Sequence, residues 1–173
     1  YWSAWPVAGE APAGVERAGT PEAADFALTL TPEGGALHLV PPIGVLGVGC
    51  RRGTTAERLE EAFSAFCASS GLSPAAVSAA ASIDLKKEEP GLAQFCEAHG
   101  WPITFYSADQ LRAVPGQFTP SAFVAGVTGV DNVCERAAAK ASGGALLLPK
   151  TAGGGVTLAL AVRPFAPDWR TEQ

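Results

Sequence analysis

Two adjacent arginines, Arg51 and Arg52, occupy a glycine-bearing turn that follows a short apolar run. Glycines such as Gly49 and Gly53 allow backbone amides to approach a ligand, and Thr54 is suited to begin the next helix. Guanidinium groups and helix N-termini both bind carboxylates or phosphates. The turn has neither the G-K-[ST] end of a Walker A loop nor the spacing of a G-x-G-x-x-G fingerprint, so it predicts an anion site without indicating a nucleotide. A packing role for the glycines, with solvated arginines, stays open.

A second candidate is the charged run 84–91, which lies between an apolar run and a helical pattern. Its charged residues are Asp84, Lys86, Lys87, Glu88 and Glu89. A carboxylate that a bound ligand partly desolvates can act as a general base, and the lysines can bind an anion. The alternatives are a solvated loop and acids that complement the dipole of the next helix.

A third candidate is the turn that contains Gly126 and Gly129, which also precedes a helical pattern. Lys150 and the triple glycine 153–155 are expected nearby in the inferred order of strands. The alternatives are that Asp131 only caps the helix and that the triple glycine is only a flexible turn.

Hydrophobic patterning predicts the scaffold that positions these loops. The predicted strands are Ile43–Cys50, Val77–Ile83, Ile103–Tyr106, Ala145–Leu148 and Val156–Val162, with an edge strand at Phe123–Val127. The predicted helices run from Thr54 or Thr55 to Ser69, from Pro90 to about Gly100, from Ser107 to about Val114 and from Asp131 to Ala141. The alternation predicts a three-layer α/β/α sandwich with a mostly parallel, mixed sheet, in which the last two strands form an antiparallel edge. Ligands of such sheets bind beyond the carboxyl ends of the strands, where the candidate loops lie.

Residues 1–42 differ in composition from the rest of the chain and are rich in Gly, Pro, Ala and Glu. Two strand-like runs, Asp25–Thr31 and Ala36–Val40, flank a segment with the composition of a hairpin turn, so we predict a β-hairpin-like linker segment. The α/β domain is predicted at 43–165 and a tail at 166–173. Because the sequence has no methionine, we expect the chain to be part of a longer protein.

The 173 residues carry a net charge of −5, which argues against non-specific binding of nucleic acid. Five acids and one base precede Val45, so most of the acidity lies in the linker segment. No apolar run is long enough for a membrane span and no signal peptide is recognisable, so we predict a cytoplasmic protein without membrane contact. The four cysteines have no zinc-site spacing, so we expect free thiols and no metal site of the protein's own.

Several sequence blocks together resemble a known family. These blocks are Gly47–Thr54, Leu85–Leu92, Phe105–Leu111, Gly126–Val130, Cys134–Ala138, Lys150 and Gly155–Ala159. In this order they resemble the C-terminal domain of the cobalamin-biosynthesis protein CbiG, which also occurs as the separate protein CobE. The resemblance covers roughly Val45 to Val162, and residues 1–42 look like the segment that joins this domain to the N-terminal domain of CbiG.

The resemblance implies a cobalt-containing corrinoid intermediate of the anaerobic cobalamin pathway as substrate. CbiG-like proteins act as cobalt-precorrin-5A hydrolases, which open a lactone on the macrocycle and release acetaldehyde. Macrocycle carboxylates would suit a basic rim that is formed by Arg51, Arg52, Lys86, Lys87 and Lys150. Glu88 is the first candidate for the general base and Asp84 the second, while backbone amides at 49–53 or 126–129 are candidate oxyanion donors.

The alternative implied by CobE is a non-catalytic corrinoid-binding or carrier module, with the catalytic groups in the N-terminal CbiG domain. That domain is then the expected protein partner. No cofactor is expected, since the cobalt would belong to the substrate. The sequence leaves a homodimer open.

Overall fold

A five-stranded mixed sheet forms the scaffold of the protein, as a computed structural model shows; the structure describes residues 1–35, 37–120 and 130–170. The strands of this sheet are β4 (Gly44–Cys50), β5 (Val77–Ile83), β6 (Ile103–Tyr106), β7 (Ala145–Gly153) and β8 (Val156–Val162). Their order across the sheet is β6-β5-β4-β8-β7. The first three run parallel, while β8 is antiparallel to both β4 and β7. The predicted antiparallel edge is confirmed.

Helices cover both faces of this sheet. The helices are α1 (Ala56–Ser70), α2 (Pro90–His99), α3 (Ala108–Arg112) and α4 (Val133–Ser142). On one face, Phe63 of α1 and Phe95 of α2 pack into the main core together with Leu46 and Leu160 of the sheet. On the other face, α3 and α4 pack against β4 and β5. The three-layer α/β/α prediction is confirmed.

Helix α4 approaches β4 very closely, which is possible because residue 47 is glycine. A Cβ at Gly47 would overlap the backbone carbonyl of Cys134. This contact brings the N-terminus of α4 to the carboxyl end of the central strand. The glycine therefore has a packing role, which was one of the two alternatives for this turn.

The N-terminal segment contains the predicted strand pair, but the prediction of a hairpin is wrong. Strands β1 (Trp2–Ser3), β2 (Phe26–Leu28) and β3 (Leu37–Leu39) form a separate small sheet in which all neighbours are parallel. The segment with hairpin-turn composition therefore does not simply reverse the chain. It returns the chain to the starting end of β2, with Gly34 at a φ of 78°.

Strand β7 is longer than predicted, because the sequence interpretation ended it before Pro149. Proline has no N–H to donate, but an edge strand tolerates this loss. The following turn is tight: Gly154 and Gly155 connect β7 to β8 with φ values of 57° and 82°. These left-handed conformations favour glycine at both positions.

All four cysteines are free, as predicted, with Cys67, Cys96 and Cys134 buried. The described part of the chain contains no helix with the length and apolar character needed to cross a bilayer.

Candidate functional site

A cavity of about 600 Å³ opens at the carboxyl ends of β4 and β5. The β7–β8 turn and the N-terminus of α4 form its other borders. The residues from the sequence-based candidates that line it are Gly49, Arg51, Arg52, Lys86, Glu89, Lys150, Gly153 and Gly155. Much of the remaining wall is apolar or carries thiols, from Cys50, Ile83, Val133, Cys134 and Val156. The fold therefore brings cationic residues from three separate segments to one cavity.

The arginine-bearing turn is held by its own backbone donors. The N–H of Arg51 donates to the carbonyl of Gly155 at 3.0 Å, and the N–H of Gly53 donates to Glu89 at 2.8 Å. The hydroxyl and the N–H of Thr54 both donate to the carbonyl of Arg51. Gly53 and Thr54 do not line the cavity, and their contacts shape the turn. Because these amides are occupied, the turn offers an anion chiefly the Arg51 and Arg52 side chains.

Glu89 connects this turn to the charged run 84–91. Only 8% of Glu89 is exposed, and it accepts hydrogen bonds from the Gly53 N–H and, at 3.2 Å, from the Lys86 ammonium. The bond from Gly53 is the largest influence on the pKa of Glu89 and lowers it; burial opposes this, while Lys86 and Arg52 add to the lowering. Glu89 is therefore an ionised carboxylate at neutral pH and fixes two loops relative to each other.

A glycine at the start of α2 makes this connection possible. A Cβ at Gly91 would overlap the backbone carbonyl of Thr54. Segments 85–91 and 49–54 thus touch at Gly91, where any residue with a side chain would displace the backbone.

The other charged residues of this run are not among the residues that line the cavity. Asp84, Lys87 and Glu88 are exposed and do not line the cavity. The two predicted bases and one of the predicted binding lysines are therefore not part of the cavity lining.

The third predicted loop is described only in part. Gly126, Gly129 and the predicted edge strand 123–127 lie outside the described residues. Helix α4 is capped by Asn132 rather than Asp131, since the Asn132 side chain accepts from the Glu135 N–H at 3.0 Å. Asp131 instead pairs with Arg136 at 2.8 Å, and this hydrogen bond is the main reason that its pKa is lowered.

Sequence reasoning missed the residues at the N-terminus of α4. Asn132 and Cys134 line the cavity, and the Asn132 amide also donates to the Thr119 carbonyl at 2.8 Å. Asn132 and Glu135 have the N-x-x-E spacing of a capping box, which could have indicated both. The Glu135 carboxylate, however, binds Lys150 and Thr119.

The two cavity thiols are protonated at neutral pH. Burial raises the pKa of Cys50, although Lys86 opposes the shift. Burial also raises the pKa of Cys134 to about 11, opposed by the Thr157 side chain and by Lys150. The thiolate is the reactive form of cysteine, so neither side chain is an activated nucleophile.

The cations of the cavity differ in their partners. Arg58, Arg112, Arg136 and Arg170 each pair with a nearby acid elsewhere on the surface. Within the described ranges, Arg51, Arg52 and Lys150 have no acidic group within ion-pair distance, whereas Lys86 has Glu89. Three of the four cationic side chains that line the cavity thus form no ion pair with the described residues, although Arg52 is close enough to Glu89 to lower the pKa of that carboxylate.

A metal site is not evident among residues 1–35, 37–120 and 130–170, where no three His, Cys, Asp or Glu side chains are grouped suitably. His38 bonds to the carbonyl of Glu33 and His99 bonds to Glu60. Both histidines have local structural partners.

Comparisons with known proteins give one consistent family. A family model described as "Cobalamin synthesis G C-terminus" matches residues 44–161, which lie inside the predicted domain 43–165. The chain is 36% identical over 134 residues to a cobalt-precorrin-5A hydrolase of Priestia megaterium, covering 77% of this chain but only 35% of that protein. It thus spans about a third of that relative's length.

A shorter relative and a solved structure match over most of their lengths. Protein CobE of Sinorhizobium sp is 33% identical over 120 residues, covering 68% of this chain and 78% of that protein. The crystal structure of CobE, a protein from the cobalamin biosynthetic pathway, superposes with a TM-score of 0.63 at 35% identity. The superposition covers 71% of this chain and 92% of that one.

Proposed function

Since the chain belongs to the cobalamin synthesis G C-terminal family of cobalamin-biosynthesis proteins, we propose that its cavity binds a corrinoid intermediate of that pathway. In this proposal the domain is the substrate-binding part of a cobalt-precorrin-5A hydrolase, and it acts together with the N-terminal domain typical of CbiG. The cobalt is part of the substrate, and no resident cofactor is involved.

The observation that carries the proposal is the pairing of an apolar wall with uncompensated cations. Ile83, Val133 and Val156 form the wall, while Arg51, Arg52 and Lys150 offer positive charge that is not held in an ion pair with the described residues. A corrinoid intermediate has an apolar ring edge and several acetate and propionate carboxylates. The cavity volume of about 600 Å³ is typical of small-molecule sites.

Lactone opening requires an activated water and stabilisation of a developing oxyanion. The amides of Arg51, Gly53 and Thr54 donate within the protein, so the proposal assigns oxyanion stabilisation to the cationic side chains that line the cavity. Arg51 and Arg52, which lie in the turn after β4, are the first candidates. The planar guanidinium group can donate two parallel hydrogen bonds to an oxyanion or a carboxylate.

The candidate bases require a substrate that extends beyond the cavity. Asp84 and Glu88 are exposed and do not line the cavity, and Glu89, which does line it, accepts hydrogen bonds from Gly53 and Lys86. The geometry therefore supports substrate binding more directly than base catalysis by this domain. Glu88→Gln and Asp84→Asn test the catalytic role, because a general base contributes about 10²–10⁴-fold to the rate.

A binding measurement tests the proposal with two related corrinoids. Cobyrinic acid is a cobalt corrin with free carboxylates, and cobinamide has the same ring with amide side chains. We expect the chain to bind cobyrinic acid at least about tenfold more tightly, since one charge-assisted hydrogen bond contributes about 1.5–3 kcal/mol. Equal affinities, measured by calorimetry, would contradict the proposal.

The CobE-like carrier function is the second candidate, favoured by the match over most of CobE. Acetaldehyde release from cobalt-precorrin-5A distinguishes the two functions. Release by this chain alone would exclude a pure carrier, whereas release only after addition of the N-terminal CbiG domain would support divided roles. Tight binding with no release in either mixture would support the carrier.

A further inference from the structure

Strand β7 contains a bulge at Lys150, the lysine that β7 contributes to the cavity. Leu148 pairs with Leu160 and Thr151 pairs with Leu158, so β7 advances three residues while β8 advances two. The extra residue lies at Pro149–Lys150. A bulge leaves a residue outside the regular ladder and redirects its side chain, and bulges are frequent beside active sites.

The N–H of Lys150 is used by a buried glutamate of α4. Lys150 donates to Oε1 of Glu135 at 2.6 Å, and Glu135 has no exposed surface. The N–H of Thr119 donates to Oε2 and its hydroxyl to Oε1, each at 2.8 Å. One carboxylate thus connects the bulge, the cavity-lining start of α4 and the chain at residue 119.

The contacts of Glu135 fix the backbone of Lys150 and leave its ammonium group available. Lys150 lines the cavity, and its positive charge opposes the increase in the pKa of the Cys134 thiol, another lining residue. No ion pair joins Glu135 to Lys150 in the structure as described. An apolar residue at 135 could fill the same volume but could not accept the N–H of the bulge.

We propose that Glu135 is the positioning residue for Lys150: by accepting the N–H of the β7 bulge, it directs the Lys150 ammonium into the cavity to bind a substrate carboxylate. This inference rests on the proposed function, because it assigns a task to the cavity lysine. Glu135 itself does not contact the substrate.

The electrostatic effect of removing Glu135 has the opposite sign to the positioning effect. Loss of a negative charge near the cavity favours a polyanion by itself, whereas a displaced Lys150 weakens its binding. Glu135→Gln leaves one acceptor oxygen where N–H donors now reach both carboxylate oxygens, and its NH2 group faces the other N–H, so weaker binding by this variant reports positioning and not charge. Glu97→Gln, at an exposed position on α2 that does not line the cavity, is the matched control for the charge change.

The test is a double-mutant cycle with cobyrinic acid on the full 173-residue chain. We expect Lys150→Met to weaken binding at least about tenfold and Glu135→Gln about three- to tenfold, with no loss from Glu97→Gln. In the Lys150→Met background, Glu135→Gln should cause no further weakening. If Glu135→Gln does not fold, Glu135→Asp, which keeps the charge on a shorter side chain, takes its place in the same cycle.

The outcomes separate the inference from the proposed function. Equal weakening by the position-135 substitution in both backgrounds, or none in either, would overturn the positioning role. Failure of the wild-type chain to prefer cobyrinic acid over cobinamide would instead overturn the proposed function. If the position-135 substitution weakens cobyrinic acid binding only when Lys150 is present, the result supports both the positioning role and the proposed function.

Discussion

Two corners of the cavity each depend on one glutamate: the Glu89 corner contains Gly53 and Lys86, and the Glu135 corner contains Lys150 and Thr119. The partners of the two glutamates differ in charge. Glu89 accepts one backbone N–H and pairs with the Lys86 ammonium, so the charge at its corner is largely balanced. Glu135 accepts from the N–H groups of Lys150 and Thr119 and from the Thr119 hydroxyl, all of which are neutral donors. Its corner therefore keeps the charge of Lys150 available to a ligand.

The difference shows how a carboxylate can support an anion site without neutralising it. A buried carboxylate stabilises the fold when several hydrogen bonds replace its lost hydration. At Glu135 these bonds come from backbone N–H groups and a hydroxyl, so the Lys150 backbone is held while its ammonium group forms no ion pair with Glu135. At Glu89 the same residue type binds the lysine itself.

The largest expected difference concerns stability. Glu135→Ala leaves three donors without their acceptor, whereas Glu89→Ala leaves two, the Gly53 N–H and the Lys86 ammonium, and the ammonium is on a flexible side chain that can turn to water. At about 1–3 kcal/mol for a buried unsatisfied group, we expect Glu135→Ala to lower the free energy of unfolding by about 3 kcal/mol and Glu89→Ala by about 1 kcal/mol. Urea unfolding at neutral pH measures both. Equal losses would remove the distinction between the two corners.

The second prediction compares the two lysines in binding. Lys150→Met removes an uncompensated charge, whereas Lys86→Met combined with Glu89→Gln removes a balanced pair and keeps the net charge. We expect the first to weaken cobyrinic acid binding at least about tenfold and the second by less than about threefold. Calorimetric affinities test this order, and a reversed order would place the binding lysine at the Glu89 corner.

The regular elements of the fold are predictable because they depend on local pattern. The bounds of β5, β6 and β8 agree with the sequence interpretation, since each is a short apolar run between clear turn residues. Strand β7 is too short in that interpretation because Pro149 resembles a strand end. The predicted hairpin pairing of β2 and β3 is wrong because turn composition alone does not show whether the second strand runs antiparallel or parallel to the first.

The cationic lining is also predictable in part, because glycine turns at strand ends converge in an open α/β sheet. The two glutamate contacts are not, because they join residues that only the fold brings together. Gly53 and Glu89 are 36 positions apart, and Glu135 is 15 positions from Lys150. A buried glutamate cannot be distinguished from an exposed one by its position in an amphipathic pattern.

The third prediction concerns acid stability. Burial raises the pKa of Glu135, but the hydrogen bonds from Lys150, Thr119 and the Asn132 side chain together outweigh it, so the net pKa is lowered. A carboxylate with a lowered folded pKa stabilises the protein above its unfolded pKa, and this contribution is lost as the pH falls through the folded value. The stability advantage of the wild type over Glu135→Gln should therefore shrink below about pH 4.5. Urea unfolding between neutral and acidic pH tests this, and a constant difference would mean that the pKa of Glu135 is not lowered.

The smallest expected effect is a gain of affinity at the Glu89 corner. Glu89→Gln keeps an oxygen that can accept the Gly53 N–H but removes the charge that balances Lys86. Two charges at such a distance near water interact by about 1 kcal/mol, so we expect cobyrinic acid to bind about two- to fivefold more tightly and cobinamide to bind unchanged. Glu97→Gln, which removes an exposed charge outside the cavity lining, should change neither affinity. Weaker binding by Glu89→Gln would show that the ion pair positions Lys86 for the ligand, which would make the two corners alike.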